Sequence, residues 1–399
     1  MVGGMTTPPT TSIAERYDAV IVGARAAGAS TAMLLARRGL SVLAIDRGAY
    51  GSDTLSTHSL SRTGVLLLSQ WGLLDRIRAA GTPVTRRVVF HYNDPISVDV
   101  TADGDVDGLY SPRRTVLDRI LVDAAIEAGV DVAHRVSLDH VTNTNGRIDG
   151  VDIVVDGERR HVEASWVVGA DGGRSRVAAD VGAQTTREEG ATATNIYAFW
   201  TGLPSDVIEN FYDLQGRAVG IIPTNDGEAN VWVAMRPEQY RTEARGDLVG
   251  AYHQEISSHP SLMRSLRGAT CVGGHRGFPG MHGFLRQPFG PGWALVGDAG
   301  YFKDPLSAHG ITDAFMSAEF LAEAIGNIVV NRGDERQALG RYARQRDELA
   351  SMLMPPTTAL ARLDLTPNGA KLEFGRLLLS FRHEYELMAG RAAMSCAPC

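Results

Sequence analysis

The order of apolar and polar positions divides the chain into strand-turn-helix units near its start and two-residue alternation through its middle. Tyr17-Asp-Ala-Val-Ile-Val22 is a β-branched apolar run suited to a buried parallel strand, and Ala29 to Arg38 carries apolar residues at helical spacing. Ser41-Val-Leu-Ala-Ile45 gives a second strand. Two further buried strands fall at Ser165 to Gly169 and Trp293 to Val296, and helical periodicity returns from Arg114 to about Ala128 and from Thr312 to Val330. Val84 to Val100 and Ala191 to Val233 follow another rule, alternating polar with apolar residues and including the pairs Phe199-Trp200 and Phe211-Tyr212. That is the pattern of half-buried antiparallel strands. Residues 336–399 are helical by period, and Pro355-Pro356 is expected to break one helix from the next, because proline lacks an N–H and crowds the preceding turn.

These elements predict an α/β protein with a discontinuous Rossmann-type domain, formed by residues 15–82, 109–182 and 285–335. Residues 83–108 and 183–284 are expected to build an antiparallel β-sheet substrate domain, followed by a C-terminal helical region over 336–399. The Thr/Pro/Gly-rich start, residues 1–14, reads as a disordered tail. At 399 residues and 44% apolar content the chain can bury two cores.

Chemistry enters at three glycine-rich turns, each placed after a predicted strand. The first, Gly23-Ala-Arg-Ala-Ala-Gly28, has G-x-G-x-x-G spacing between a strand and a helix, and the helix start offers N–H groups and a positive dipole end to a pyrophosphate. Asp46 ends the next strand, at the distance where an acidic side chain accepts hydrogen bonds from ribose hydroxyls. Arg25 departs from the pattern, standing where a second glycine lets the backbone approach the phosphates. Its side chain either points away from the turn or lies along the phosphates as a charge-assisted donor. The second turn is Gly169-Ala-Asp-Gly-Gly-Arg174, and the third starts at Gly297-Asp298 and continues through Asp304-Pro305 and His309-Gly310-Ile311 into a helix. A carboxylate at a strand end suits a polyol, and a helix start suits negative charge.

Taken in order, these segments make the chain resemble the FAD-dependent monooxygenases of the p-hydroxybenzoate hydroxylase type, a superfamily shared with geranylgeranyl reductases and flavin-dependent halogenases. The resemblance covers most of residues 17–330. It implies that Gly23, Ala24, Arg25, Ala27 and Gly28 hold the FAD pyrophosphate, Asp46 the adenosine ribose, and Asp298 the ribityl chain. Asp171 and Gly172 match a middle motif linked to both FAD and NAD(P)H, and Arg114, with Arg113 as its nearby substitute, fits an arginine given to the flavin nucleotide. Arg47, Gly297, Pro305, Gly310 and Ile311 complete the implied cofactor contacts. The implied activity is hydroxylation of a small aromatic or polyketide-like substrate through a C4a-hydroperoxyflavin, with NAD(P)H as reductant and O₂ as co-substrate.

The lack of a second complete G-x-G-x-x-G after a strand is consistent with this class, which has no separate Rossmann domain for NAD(P)H. Gly273-Gly-His-Arg-Gly277 is glycine-rich, but Pro279 follows it in place of a helix. Two alternatives stand beside the hydroxylase: a reductase that saturates isoprenoid double bonds, and a non-catalytic flavoprotein, which Arg25 keeps open. A halogenase is disfavoured, because Ile221-Ile-Pro223 lacks the two tryptophans of the Trp-x-Trp-x-Ile-Pro element.

Composition narrows the partners. A net charge of −7 with no long basic run excludes the footprint of a nucleic-acid binder. No stretch approaches the roughly 18 apolar residues of a membrane span, and Met1 to Arg16 lacks the features of a secretory signal, so a cytoplasmic location is the default expectation. The three cysteines, Cys271, Cys396 and Cys399, suit a reducing compartment, and the terminal Cys396-Ala-Pro-Cys399 reads as a mobile tail. No His/Cys cluster has zinc-ligand spacing, so no metal site is expected.

For catalysis the candidates are His58, Lys303 and His309. His58 ends the hydroxyl-rich loop Ser52-Asp-Thr-Leu-Ser-Thr-His58, which the resemblance brings near the isoalloxazine ring, as a proton-transfer or substrate-binding group. A role capping the helix that starts near Ser61 is its alternative. Lys303 and His309 lie in the loop after Gly297-Asp298, and Lys303 is alternatively a solvated side chain.

Overall fold

A computed structural model describes residues 13–91, 95–190, 193–213 and 216–395. The predicted tail over 1–12 and the segment Cys396-Ala-Pro-Cys399 lie outside the described residues, while Ile13 is buried and Ala14 donates its N–H to the Tyr17 hydroxyl at 2.8 Å.

Five parallel strands form the centre of the larger sheet, in the order Trp293–Leu295, Glu158–Gly169, Arg16–Val22, Val42–Asp46, Asp131–His134. Ala19, Val20 and Ile21 are wholly buried, so the strand that carries them needs cover on both faces. Helices Ala26–Ala36, Arg114–Glu127 and Gly310–Val329 cover one face. The antiparallel strands Ser137–Thr144 and Arg147–Val155, which extend from the outer half of Glu158–Gly169, close over the other. The protein is therefore α/β, with the predicted Rossmann-type core. All three glycine turns leave the carboxyl ends of neighbouring strands, the position where open α/β sheets bind ligands.

A separate seven-stranded sheet runs Thr270–Phe278, Thr194–Thr201, Glu228–Met235, Arg217–Pro223, Val207–Asp213, Arg87–His91, Pro95–Asp99. Neighbours are antiparallel except Val207–Asp213 with Arg87–His91, which pair in parallel. The edge hairpin 87–99 arrives from an earlier excursion of the chain, and no tight turn forces its direction. Alternation sorts the faces: Ile196, Ala198, Val231 and Val233 pack under helix Leu248–Ser258, while Tyr197, Phe199, Asn230 and Trp232 point to the opposite side.

One expectation fails at the C-terminal region. Helix Glu335–Ala361 runs straight through Pro355 and Pro356. Pro356 has no N–H for the Met352 carbonyl, and that carbonyl instead accepts the Ser380 hydroxyl at 3.2 Å from the following helix, Pro367–Ser395. A side chain from the neighbour thus replaces the lost backbone bond.

Candidate active site

The first turn is built around two glycines that admit no side chain. Gly23 has φ +102°, and a Cβ there would run into the Ala170 carbonyl; one on Gly28 would collide with the Gly23 carbonyl. The first and middle motifs are therefore in backbone contact, fixed further by Ala170 N–H to the Val22 carbonyl at 2.8 Å. Ala27 reaches the third motif, lying against Gly297.

Beside the first turn, the Asp46 carboxylate accepts from Ala24 N–H at 2.9 Å and Gly48 N–H at 2.6 Å, so it is held where the turn begins. Arg25 turns away from its own loop. Its guanidinium donates to the Ser52 carbonyl at 3.1 Å, the Ser52 hydroxyl at 3.1 Å and Asp118 at 3.2 Å. Arg114 grips the same carboxylate with two 3.0 Å bonds. Burial raises the Asp118 pKa, opposed by the two guanidiniums. Arg47 is exposed on the rim, and the Asp171 carboxylate caps the short helix Arg176–Asp180, accepting from Arg176 N–H at 2.6 Å and the Ser175 hydroxyl at 2.6 Å. Gly172, beside it, takes φ +80°.

The third motif supplies the other end. Asp298 is reached by solvent yet closely surrounded by protein, as on a cleft floor, and this enclosure raises its pKa to about 6 against the pull of the Lys303 and Arg114 charges. Pro305 opens a single turn, Pro305–Ser307, capped by the Asp304 carboxylate, and Ala308 takes a left-handed φ of +51°. Helix Gly310–Val329 then begins with Gly310 and Ile311, and a Cβ on Gly310 would meet only the Asp298 carboxylate, at 4.0 Å. A carboxylate acceptor and an open helix start thus face one space, the donor set a ribityl chain and an anionic ring edge require. These residues fit FAD.

Loop 52–61 closes over this space. The Ser61 hydroxyl and the Thr312 hydroxyl are 3.1 Å apart, joining the loop to the helix start. His58 is fully buried with φ +69°, a strained conformation for a residue with a Cβ. It does not cap the helix after Ser61; its ring lies edge-on to Tyr197 at 6.2 Å and Phe199 at 5.6 Å. Burial lowers its pKa to about 3, aided by Arg114 and Arg113, so the ring is neutral. The Arg113 guanidinium lies 3.6 Å over the Phe199 ring and bonds Glu228 at 2.5 Å and Asp53 at 3.3 Å. Burial alone would raise the Asp53 carboxyl, but Arg276, at 2.9 Å, together with Thr54 N–H and Arg113, holds it below the usual range. His58 Nε2, Asn230 Oδ1, Arg113 Nε and Trp232 Nε1 are buried polar atoms with no partner among the described residues.

Lys303 and His309 are not on that wall. Both are buried beneath the third motif, where Lys303 pairs with Asp313, and His309 Nε2 lies 2.7 Å from Glu384 on the last helix. Burial pushes Glu384 up to about 8 and Lys303 down to about 8, and holds His309 well below its usual value. Lys303 is therefore not solvated. Glu384 escaped the sequence reading, although a carboxylate in the apolar stripe Leu377, Phe381, Met388 was a legible signal. Asp53, Glu228, Asn230 and Arg276 also went unnamed. Asn230 interrupts the apolar run of strand Glu228–Met235, which Glu228 opens, whereas Asp53 and Arg276 carry no local signal.

A family profile described as FAD binding domain matches residues 16–355. Digeranylgeranylglycerophospholipid reductase 2 of Methanopyrus kandleri is 25% identical over 348 residues, covering 83% of this chain and 82% of the relative. Protein FixC of Salmonella typhi is 26% identical across 83% and 82%. Among solved structures, a triple mutant of the flavin-dependent brominase Bmp2 superposes with a TM-score of 0.78 at 20% identity, over 92% of this chain and 95% of its own. PqsL of Pseudomonas aeruginosa, solved with 2-aminobenzoylacetate, gives 0.76 at 19% identity over 91% and 99%. No described helix is long and apolar enough to cross a membrane. With the profile spanning the three glycine turns and both sheets, the chain belongs to the FAD binding domain family and is an FAD-dependent oxidoreductase.

Proposed function

We propose that this oxidoreductase is a monooxygenase that hydroxylates a small, polar aromatic or polyketide-like substrate, using NAD(P)H as reductant and O₂ as co-substrate. The carrying observation is a group of buried polar atoms without a partner among the described residues, gathered around Tyr197 and Phe199: Asn230 Oδ1 and Trp232 Nε1 from the second sheet, His58 Nε2 from loop 52–61 and Arg113 Nε from the start of helix Arg114–Glu127. Buried polar groups are costly unless a partner meets them, so this group suits a ligand bearing hydroxyl, carbonyl or carboxylate groups. An isoprenoid chain would leave each of them unmet. Bound FAD supplies the electron transfer and the reaction with O₂. The chain's own part is to orient the substrate against Tyr197 and Phe199, hold a substrate hydroxyl proton at the neutral His58 Nε2, and exclude water with the buried sheet face. PqsL, whose fold this chain shares, binds a small aromatic keto acid, which supports the same substrate class.

The reductase reading keeps one specific support, the naming of the curated relatives as digeranylgeranylglycerophospholipid reductases at 24–26% identity. Oxidation of NAD(P)H with and without O₂, in the presence of a panel of phenols and aromatic acids, separates the two. Stimulated, oxygen-dependent oxidation with a hydroxylated product is expected. Substrate reduction that proceeds only anaerobically would overturn the hydroxylase in favour of the reductase.

A further inference from the structure

We propose that His253, Cys271 and His275 form a metal site that takes one Zn²⁺, with water as fourth ligand, on the face of the seven-stranded sheet turned away from the FAD cleft. One atom of each side chain, an imidazole nitrogen or the Cys271 sulfur, lies within 4.8 Å of the other two. Tetrahedral zinc with bonds of about 2.0 Å to nitrogen and 2.3 Å to sulfur needs separations of roughly 3.5 Å. About 1 Å of side-chain closure completes the geometry. Two imidazoles and a thiol suit borderline-soft zinc, and poorly suit Mg²⁺ or Ca²⁺.

This closeness is not a property of a regular strand, in which residues four apart stand about 13 Å from each other. Strand Thr270–Phe278 is bulged: Val272 pairs with Phe199 and Arg276 with Tyr197, so four steps on one strand match two on its neighbour. Gly273, with φ +78°, makes the fold-back that brings His275 against Cys271. Helix Leu248–Ser258 adds His253 from above. The His275 ring is set edge-on to Tyr252 at 4.7 Å and to His253 at 5.2 Å, and Tyr252 is itself fixed by Trp200 Nε1 at 2.8 Å and the Val231 carbonyl at 3.0 Å. His275 Nε2 is buried without a partner among the described residues, an atom that a metal would satisfy. The ligands come from two elements, which explains why no zinc spacing is visible in the sequence. On binding, the Zn–S bond forms as the Cys271 proton leaves to solvent, and both imidazoles enter neutral.

The test uses untagged holoenzyme carrying Cys396→Ser and Cys399→Ser, stripped with chelator and titrated with Zn²⁺ calorimetrically in two buffers of different ionisation enthalpy. One Zn²⁺ per chain with about one proton released is expected, and Cys271→Ser or His275→Gln should each weaken binding at least tenfold. Co²⁺ should give a thiolate charge-transfer band that Cys271→Ser abolishes. His161→Ala, remote from the site, should leave affinity unchanged, and retained flavin colour verifies that each variant is folded. No stoichiometric binding, or affinity indifferent to both ligand variants, would overturn the site.

Discussion

Replacing Gly310 by alanine separates a cofactor contact from a folding role. Gly310 is the first residue of the 20-residue helix Gly310–Val329, and its added methyl would meet no protein atom nearer than the Asp298 carboxylate at 4.0 Å. Without FAD, then, Gly310→Ala removes chain entropy from the unfolded state and gains up to about 1 kcal/mol, so the apoprotein should melt at the same temperature or slightly higher. In the proposed placement of FAD at this helix start, the methyl would stand between the helix-start N–H groups and the cofactor. Losing one charge-assisted hydrogen bond costs about 1.5 to 3 kcal/mol, equivalent to a roughly ten- to hundredfold weaker Kd. Fluorescence titration of stripped apoprotein with FAD reads the affinity, and thermal melting of the same sample reads the fold. Gly28→Ala supplies the contrast, since its methyl collides with the Gly23 carbonyl and should lower the apoprotein melting temperature. Unchanged FAD affinity in Gly310→Ala, or an apoprotein destabilised by more than about 1 kcal/mol, would refute the placement of the helix start against the cofactor.

Asp298→Ala should move two readouts in opposite directions. Its folded pKa of about 6 lies above the ordinary carboxylate value, so wild-type apoprotein loses stability as pH rises toward 6; the variant lacks that loss and should melt higher at pH 7.5, while binding FAD about 1 to 3 kcal/mol more weakly. Full flavin retention would contradict the role of Asp298. Glu384, raised to about 8, likewise makes the fold less stable as pH climbs from near 4.5 to 8, so Glu384→Gln should gain stability relative to wild type across that window. Chemical denaturation at pH 5, 6.5 and 8 checks this, and parallel pH slopes would sink it. Arg25→Gly should keep FAD affinity within about threefold and cost about 1 kcal/mol of stability, because the guanidinium serves Ser52 and Asp118, which Arg114 still holds. A loss beyond tenfold would mean that Arg25 touches the phosphates.

Much of the geometry of the candidate cofactor cleft was legible because its parts are local. Gly23, Gly28, Asp46 and Asp298 each sit at a strand end, where short-range pattern and turn chemistry set the backbone, and the parallel sheet then brings the three turns together. The opposite wall was not legible, since Asp53, Glu228 and Arg276 meet through Arg113 only after distant strands register. His58 was named from its loop as a candidate, but its burial against Tyr197 and Phe199 depends on the second sheet. Pro355-Pro356 misled for a related reason: the compensating donor, Ser380, belongs to another helix.

The most direct test is a crystal structure of the protein with FAD, and with it the position of the isoalloxazine ring. The ring is expected between the Gly310–Ile311 helix start and the His58 loop, with the ribityl hydroxyls on Asp298 and the adenosine on Asp46. A ring seated elsewhere, or an Asp298 carboxylate without contact to the cofactor, would contradict this placement.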